Sequence, residues 1–166
     1  PMRAFLLPDE RLQRRICLTM HLTGLVDLLL DQSEFRNRFA QLSGERTWNV
    51  VRAARPFVTA ALSRIWDGPV IYVTSRIKRA YDVSGQLPVW LGESAPVYRF
   101  GEPSPQFYER APWGEGAIRS RIEALSALAW SEDQAEQPVV VTSARALLQR
   151  TLPFTKFTNA SLHLSK

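Results

Sequence analysis

The sequence has a single cysteine, no long apolar run and no recognisable leader, and each of these absences narrows its class. Cys17 alone cannot form an internal disulfide, which fits a protein of the reducing cytoplasm. The longest apolar patch, around Leu25 to Leu30, is interrupted by Asp27 and is much shorter than the ~20 residues of a membrane-spanning helix. The opening residues are broken by Pro8, too early for a secretory signal. With 45% hydrophobic and 22% charged residues, the chain is expected to be a globular cytoplasmic protein.

Residue types that carry catalysis or bind metals are also sparse. The two histidines, His21 and His163, lie far apart in the sequence and form no metal-binding motif. Cys17 falls within the apolar stripe of a predicted helix and is interpreted as a buried small hydrophobe. The Gly-x-Ser-x-Gly motif of a nucleophilic serine is missing. We therefore expect neither a catalytic residue nor a metal ion in this chain.

Acidic residues are fewer than basic residues in this chain. The 21 lysines and arginines against 16 acidic residues give a net charge of +5, which raises the question of a nucleic-acid partner. The arginines are spread along the sequence from Arg11 to Arg150, without a dense basic block or the aromatic-basic motif of a known binding module. The charge is therefore interpreted as solvated surface that allows weak, salt-sensitive DNA association at most.

From residue 47 onward, short runs of strand-forming residues alternate with helical patterns. Before residue 46 the pattern predicts only helices. The apolar runs at 70–73 and 139–141 are typical of strands buried on both faces of a parallel sheet. The alternation predicts an α/β fold with a parallel sheet of about four or five strands and helices on both faces. We assign residues 1–45 to a helical lead-in, packed outside the sheet, and residues 46–166 to the α/β domain. Strands are predicted at 47–51, 69–74, 96–100, 138–142 and 161–164, and helices at 9–22, 25–30, 34–42, 56–66, 76–91, 116–130 and 143–152.

The turn after the first predicted strand is where such a fold binds phosphate. A working P-loop, G-x-x-x-x-G-K-[ST], uses glycines for close backbone approach, a lysine for the outer phosphates and a hydroxyl for magnesium. Here Ala54, Arg55 and Pro56 stand in that turn, both glycines are absent, and Pro56 also lacks an N–H donor. We expect no ATP binding and no cofactor in this chain. Arg55, at the predicted start of a helix, has two possible interpretations: it contacts an anion, or it is an ordinary surface residue.

The segment at 100–115 is rich in Pro, Gly and aromatic residues and allows two interpretations. In one, it is a long crossover loop whose aromatic side chains pack over the edge of the sheet. In the other, it is a partner-binding surface, because exposed aromatics and arginines are the residues that interface hot spots use. The candidate partner contacts are Tyr108, Arg110, Trp113 and, in the helix that follows, Arg121.

Several segments taken together carry a family resemblance. They are LTGLVDLLL at 22–30, ARPFVTAAL at 54–62, GPVIYVT at 68–74, Tyr108-Glu109-Arg110, Arg121-Ile122 and VVVTSARALLQR at 139–150. In these segments the chain resembles the extreme N-terminal part of bacterial transcription-repair coupling factors, a region related to the excision-repair protein UvrB. One segment departs from the family, since its Trp-Glu-x-Leu-Pro is replaced here by residues 103–107.

The resemblance implies a degenerate P-loop, RecA-like domain that has lost ATP binding and serves as a non-catalytic scaffold. It implies a fragment of a longer protein, in which the UvrA-contacting insert, the RNA-polymerase-binding module and the ATP- and Mg-dependent DNA translocase motor follow Lys166. The partners would then be the rest of that protein and, through its other parts, UvrA and RNA polymerase. Two alternatives stay open: a stand-alone small α/β nucleotide-binding protein or enzyme with a site near Arg55, and a UvrB-type helicase fragment, against which the missing P-loop lysine speaks.

Overall fold

The computed structural model describes residues 21–40, 47–103, 112–133 and 135–161, which form a parallel sheet with helices on both faces. The α/β class predicted from the alternating pattern is confirmed. In chain order the elements are α1 (Thr23–Asp31), α2 (Ser33–Ala40), α3 (Arg55–Ile65), β1 (Val70–Thr74), α4 (Ile77–Leu91), β2 (Val97–Phe100), α5 (Glu115–Ala129), β3 (Val139–Ser143), α6 (Ala144–Leu147) and α7 (Phe154–Ala160), with 3₁₀ turns at Arg52–Ala54 and Ser131–Asp133.

The last strand among the described residues is the central strand of the sheet. β3 lies between β1 and β2 and runs parallel to both, with Val140 opposite Ile71 on one side and Tyr98 on the other. All five residues of β3 are buried, as the apolar run at 139–141 predicts for a strand covered on both faces. Because all three strands are parallel, their carboxyl ends lie at one edge of the sheet.

One face of the sheet is covered by α1, α3 and α4. Helix α4 places Ala80, Val83 and Leu87 on one side at helical spacing, and all three are buried. Complete burial of a side chain such as Leu87 stabilises the fold by about 1.5–3 kcal/mol. The helix ends at Gly92, whose φ of 105° is accessible to glycine and whose N–H donates to the carbonyl of Pro88 at 2.8 Å.

The lead-in helix α1 belongs to the same hydrophobic core. Val26 is fully buried in the cluster that contains Ala60, Val83 and Val141. At the start of α1, the N–H of Leu22 donates to the backbone carbonyl of Val89 in α4 at 2.7 Å. Both contacts hold α1 against the helices of this face.

The opposite face is covered by α5 and α6. Ala124 of α5 and Ala146 of α6 are fully buried against Val140 and Phe100. Alanine at these contacts lets the helices approach the sheet closely, and Leu125 and Leu128 pack around the cluster. The prediction of helices on both faces is therefore correct.

Two predicted strands need correction or lie partly outside the described residues. Residues 47–51 do not form a strand, so the described sheet has three strands rather than about four or five. Trp48 instead packs edge-on against Phe35 with a ring-centroid distance of 5.8 Å, while Val51 is 74% exposed. The β-type residues there are used for packing rather than for pairing. Of the strand predicted at 161–164, residues 162–164 lie outside the described part.

The remaining helices differ from expectation mainly near the carboxyl end of the chain. The helix predicted at 143–152 is shorter than expected: it begins at Ala144 and ends at Leu147, and Leu148 beyond it is 84% exposed. Helix α7, not predicted, buries Phe157 against Trp130 with a ring-centroid distance of 6.2 Å. Of the helix predicted at 9–22, residues 9–20 lie outside the described residues, and residues 21 and 22 are not helical. The loop tip at 104–111 also lies outside the described residues.

Candidate functional site

The segment in the P-loop position forms a tight turn leading into α3. Residues Arg52–Ala54 make a 3₁₀ turn, α3 begins at Arg55, and Pro56 is buried in its first turn. The side chain of Arg55 donates from Nε to the carbonyl of Val50 over a long 3.4 Å. Among the described residues no strand leads into this turn. Descent of the segment from a P-loop therefore stays a prediction.

A cavity of about 450 Å³ lies beside this turn, at the carboxyl end of β1. Four arginines line it, two from the turn and the start of α3 and two from the start of α4. We call this the arginine cavity. Its described lining includes hydroxyl groups but no Asp or Glu. The residues are Arg52, Arg55, Tyr72, Val73, Thr74, Ser75, Arg76 and Arg79.

Two hydrogen bonds position the arginines of the cavity. Arg79 donates from one guanidinium nitrogen to the backbone carbonyl of Arg52 at 3.1 Å, which joins α4 to the 3₁₀ turn. Thr74 donates from its hydroxyl to the carbonyl of Arg76 at 2.7 Å, which fixes the turn between β1 and α4. A guanidinium has five N–H donors, so most of those on Arg79 remain available to a ligand.

The charges around the cavity are of one sign. Arg52 and Arg76 are exposed, and within the described chain neither side chain has a hydrogen-bond or ion-pair partner. The amino-terminal ends of helices carry partial positive charge and normally attract acidic residues. Neither α3 nor α4 has an acidic residue in its first turn, and arginines stand there instead. Two helix ends and four guanidinium groups therefore make the cavity strongly electropositive.

A second, more apolar hollow of about 300 Å³ adjoins the arginine cavity. Arg55 and Tyr72 line both. Trp48 contributes an aromatic side chain to the hollow, and Val58 and Leu62 of α3 contribute aliphatic ones. A cationic surface and an aromatic surface thus meet at Arg55. We call this second space the aromatic hollow.

The predicted partner contact Arg121 is an internal residue in this structure. Only 4% of it is exposed, and its guanidinium lies 3.8 Å from the ring centroid of Phe100 and 5.1 Å from that of Trp113. One nitrogen donates to the carbonyls of Gly101 at 3.0 Å and Ala146 at 3.3 Å. Arg121 thereby joins the end of β2, α5 and α6. In this conformation it presents almost no surface to a partner.

Burial also changes the pKa of the Arg121 side chain. Loss of hydration lowers the pKa of the Arg121 guanidinium from its ordinary value. Its second terminal nitrogen is buried without a hydrogen-bond partner among the described residues. Trp113 is partly buried beside it. Tyr108 and Arg110 lie outside the described residues, so their role as partner contacts stays a prediction.

A polar network not predicted from the sequence lies at the carboxyl end of β3. The Glu102 carboxylate accepts a hydrogen bond from the Ser143 hydroxyl at 2.8 Å and pairs with Arg145 at 2.9 Å. The Ser143 hydroxyl in turn accepts from the N–H of Ala146 at 3.1 Å and caps α6. Serine before a helical pattern is a recognisable cap signal, whereas the pairing with Glu102 depends on the fold. We interpret the network as structural: Ser143 caps α6, and the Glu102 carboxylate is paired with Arg145.

Comparison with known proteins adds no assignment: no protein-family model matches the chain and no curated protein matches it significantly. Among the residues that the structure describes, no group of three or more His, Cys, Asp or Glu side chains could hold a metal ion. No described helix is long and apolar enough to cross a membrane. The arginine cavity is thus the most distinctive chemical feature of the described chain, and its groups favour binding of an anion.

Proposed function

We propose that the chain is a non-catalytic scaffold domain of a transcription-repair coupling factor, acting in the cytoplasm in DNA repair. The observation that supports this most directly is the turn before α3. In place of a glycine-rich loop, it has a 3₁₀ turn, Arg55 and the buried Pro56. These residues include neither the glycines that let a backbone approach phosphates closely nor the lysine that contacts them in a site for a nucleoside triphosphate. A RecA-like remnant without ATP binding would have this form.

The scaffold role also agrees with how the sheet is covered. Helix α5 packs on β2, whereas on the same face of the edge strand β1 the side chains of Ile71 and Val73 are 51% and 49% exposed. Half-exposed β-branched residues on a sheet face are suited to packing against protein. In the proposed role, other parts of a longer protein would pack here, and a UvrB-like insert would be held in position to recruit UvrA. ATP and Mg²⁺ would be used by a separate motor that displaces stalled RNA polymerase.

The test compares this chain with a longer protein that continues through the UvrB-like insert. Purified UvrA is offered to both in a pull-down assay. We expect UvrA to be retained by the longer protein and not by residues 1–166 alone. A longer protein that folds but retains no UvrA would contradict the proposed role.

One alternative has an observation in its favour. The arginine cavity includes Arg55, so a stand-alone small α/β protein that binds a free nucleotide there is the second candidate. Against it, the described lining has no carboxylate to hold Mg²⁺, and Pro56 removes a backbone donor. Direct titration with Mg-ATP separates the two candidates.

A further inference from the structure

The positive charge of the arginine cavity is not balanced by acidic side chains in its described lining. The guanidinium groups of Arg52 and Arg76 have no internal partner among the described residues, and the cavity lining there has no acidic residue. Arginine at the start of a helix is opposed by the positive end of the helix dipole. An arrangement that is locally unfavourable in the free protein becomes favourable when an anion is bound.

Phosphate is the anion that suits this geometry. Arginine binds phosphate through paired N–H donors, and the amino-terminal ends of the two helices add partial positive charge. A single carboxylate would balance one of the four charges. A chain of phosphates can engage several guanidiniums at once, and a cavity of about 450 Å³ has room for more than one such group.

The neighbouring aromatic hollow indicates what carries the phosphates. It shares Arg55 and Tyr72 with the arginine cavity and adds Trp48. Proteins that bind single strands combine a basic surface along the backbone with aromatic side chains against which bases stack. A duplex keeps its bases paired inside and offers only phosphates to such a surface. We infer that the arginine cavity and the aromatic hollow together bind a single-stranded nucleic acid, with its phosphates on the arginines and a base against Trp48 and Tyr72.

This inference does not depend on the proposed scaffold function. The arginines are dispersed in the sequence, but four of them line one cavity. Arg52 and Arg55 are separated from Arg76 and Arg79 by the whole of α3 and β1 in sequence, and the fold brings the two pairs to one cavity.

The experiment uses the whole chain and a fluorescein-labelled oligothymidine of roughly 12 nucleotides, followed by fluorescence anisotropy. Binding is measured over a salt series starting at about 50 mM, because phosphate contacts release counterions. The test variant is Arg52→Ala with Arg76→Ala, two exposed side chains without a described internal bond. The matched control is Arg64→Ala with Arg119→Ala, which removes the same charge from exposed arginines outside the cavity.

We expect the wild-type chain to bind the strand and the cavity variant to bind it about tenfold more weakly, with the control close to wild type. The salt slope of the cavity variant should fall by roughly 0.7 for each phosphate that the variant no longer neutralises. Equal losses of affinity in both double variants would overturn the inference, because bulk charge would then explain the binding. Absence of binding by the wild-type chain at low salt would also overturn it.

Three further ligands test the identity of the anion without altering the protein. An abasic strand of the same length should bind more weakly than oligothymidine, and equal binding would overturn the stacking contact. A duplex of the same length should bind more weakly than the single strand, and tighter binding would overturn the choice of a single strand. Tripolyphosphate or a multiply phosphorylated peptide that displaces the strand at matched phosphate concentration would assign the cavity to that ligand instead.

Discussion

A guanidinium nitrogen of Arg79 donates a hydrogen bond of 3.1 Å to the backbone carbonyl of Arg52, 27 positions earlier in the chain. This contact joins the first turn of α4 to the 3₁₀ turn in the P-loop position. It fixes one wall of the arginine cavity to the other. The cavity is therefore part of the folded framework and does not depend on exposed side chains alone.

Replacing Arg79 by alanine should loosen the 3₁₀ turn. We expect a loss of about 0.5–1.5 kcal/mol in the free energy of unfolding, because one partly exposed hydrogen bond is removed. Urea denaturation followed by circular dichroism measures this loss. The matched control is Arg76→Ala in the same cavity, where no described hydrogen bond of the side chain is removed and the change should stay within about 0.5 kcal/mol. Equal effects of the two substitutions would argue against a positioning role for Arg79.

Arg121 should be essential for stability and not for partner binding. Arg121→Met keeps an apolar stem but leaves the carbonyls of Gly101 and Ala146 without their donor, and we expect a cost of about 2–4 kcal/mol. Thermal denaturation compares it with Arg119→Ala, an exposed arginine on the same helix that should change stability by less than about 0.5 kcal/mol. If the Arg121→Met variant is as stable as the wild type, the internal contacts of Arg121 contribute little to stability.

Gly101 should tolerate no side chain. A Cβ at this position would lie 2.4 Å from the hydroxyl oxygen of Ser120, which would have to move, and in contact with the backbone of Ala117 at 3.4 Å. We expect Gly101→Ala to lower the free energy of unfolding by about 1–3 kcal/mol, as overpacking does in well-packed sites. Chemical denaturation of this variant is compared with that of Gly116→Ala, where a Cβ meets no atom within 4 Å.

The double variant Gly101→Ala with Ser120→Ala supplies the internal check. Removing the Ser120 hydroxyl takes away the closest overlap, so part of the stability should return. If the double variant is as unstable as the sum of the two single ones, the overlap is not the cause.

The regular elements of the domain were predictable because local pattern and tertiary environment agree. The apolar run at 139–141 predicted a doubly covered strand and is the central strand β3. The failures occur where packing overrides propensity. Residues 47–51 have β-type side chains, but Trp48 finds its partner in Phe35 of α2 rather than in a neighbouring strand. Phe154–Ala160 contains threonines that favour strands, yet burial of Phe157 against Trp130 accompanies a helix.

The candidate site was less predictable than the fold. Arg55 was identified because the sequence predicts a degenerate P-loop there, but Arg76 and Arg79, which line the same cavity, follow β1. No spacing rule in the sequence connects these residues, since they meet only once β1 and α4 are in place. Arg121 was predicted as a partner contact because exposed arginines are among the residues that interface hot spots use. Its burial depends on the carbonyls of Gly101 and Ala146, which only the fold supplies.

Titration calorimetry with Mg-ATP tests the central claim that this domain has no working nucleotide site. At about 150 mM salt we predict no binding of Mg-ATP tighter than about 100 μM, because the turn at Arg52–Ala54 and the start of α3 lack the glycines and the lysine of a P-loop. Phosphate contacts to the cavity arginines alone are weakened by salt and should stay outside that range. The same titration on the Arg55→Ala variant should give an indistinguishable trace. Saturable binding in that range, abolished in the Arg55→Ala variant, would contradict the account and assign the chain to the nucleotide-binding proteins.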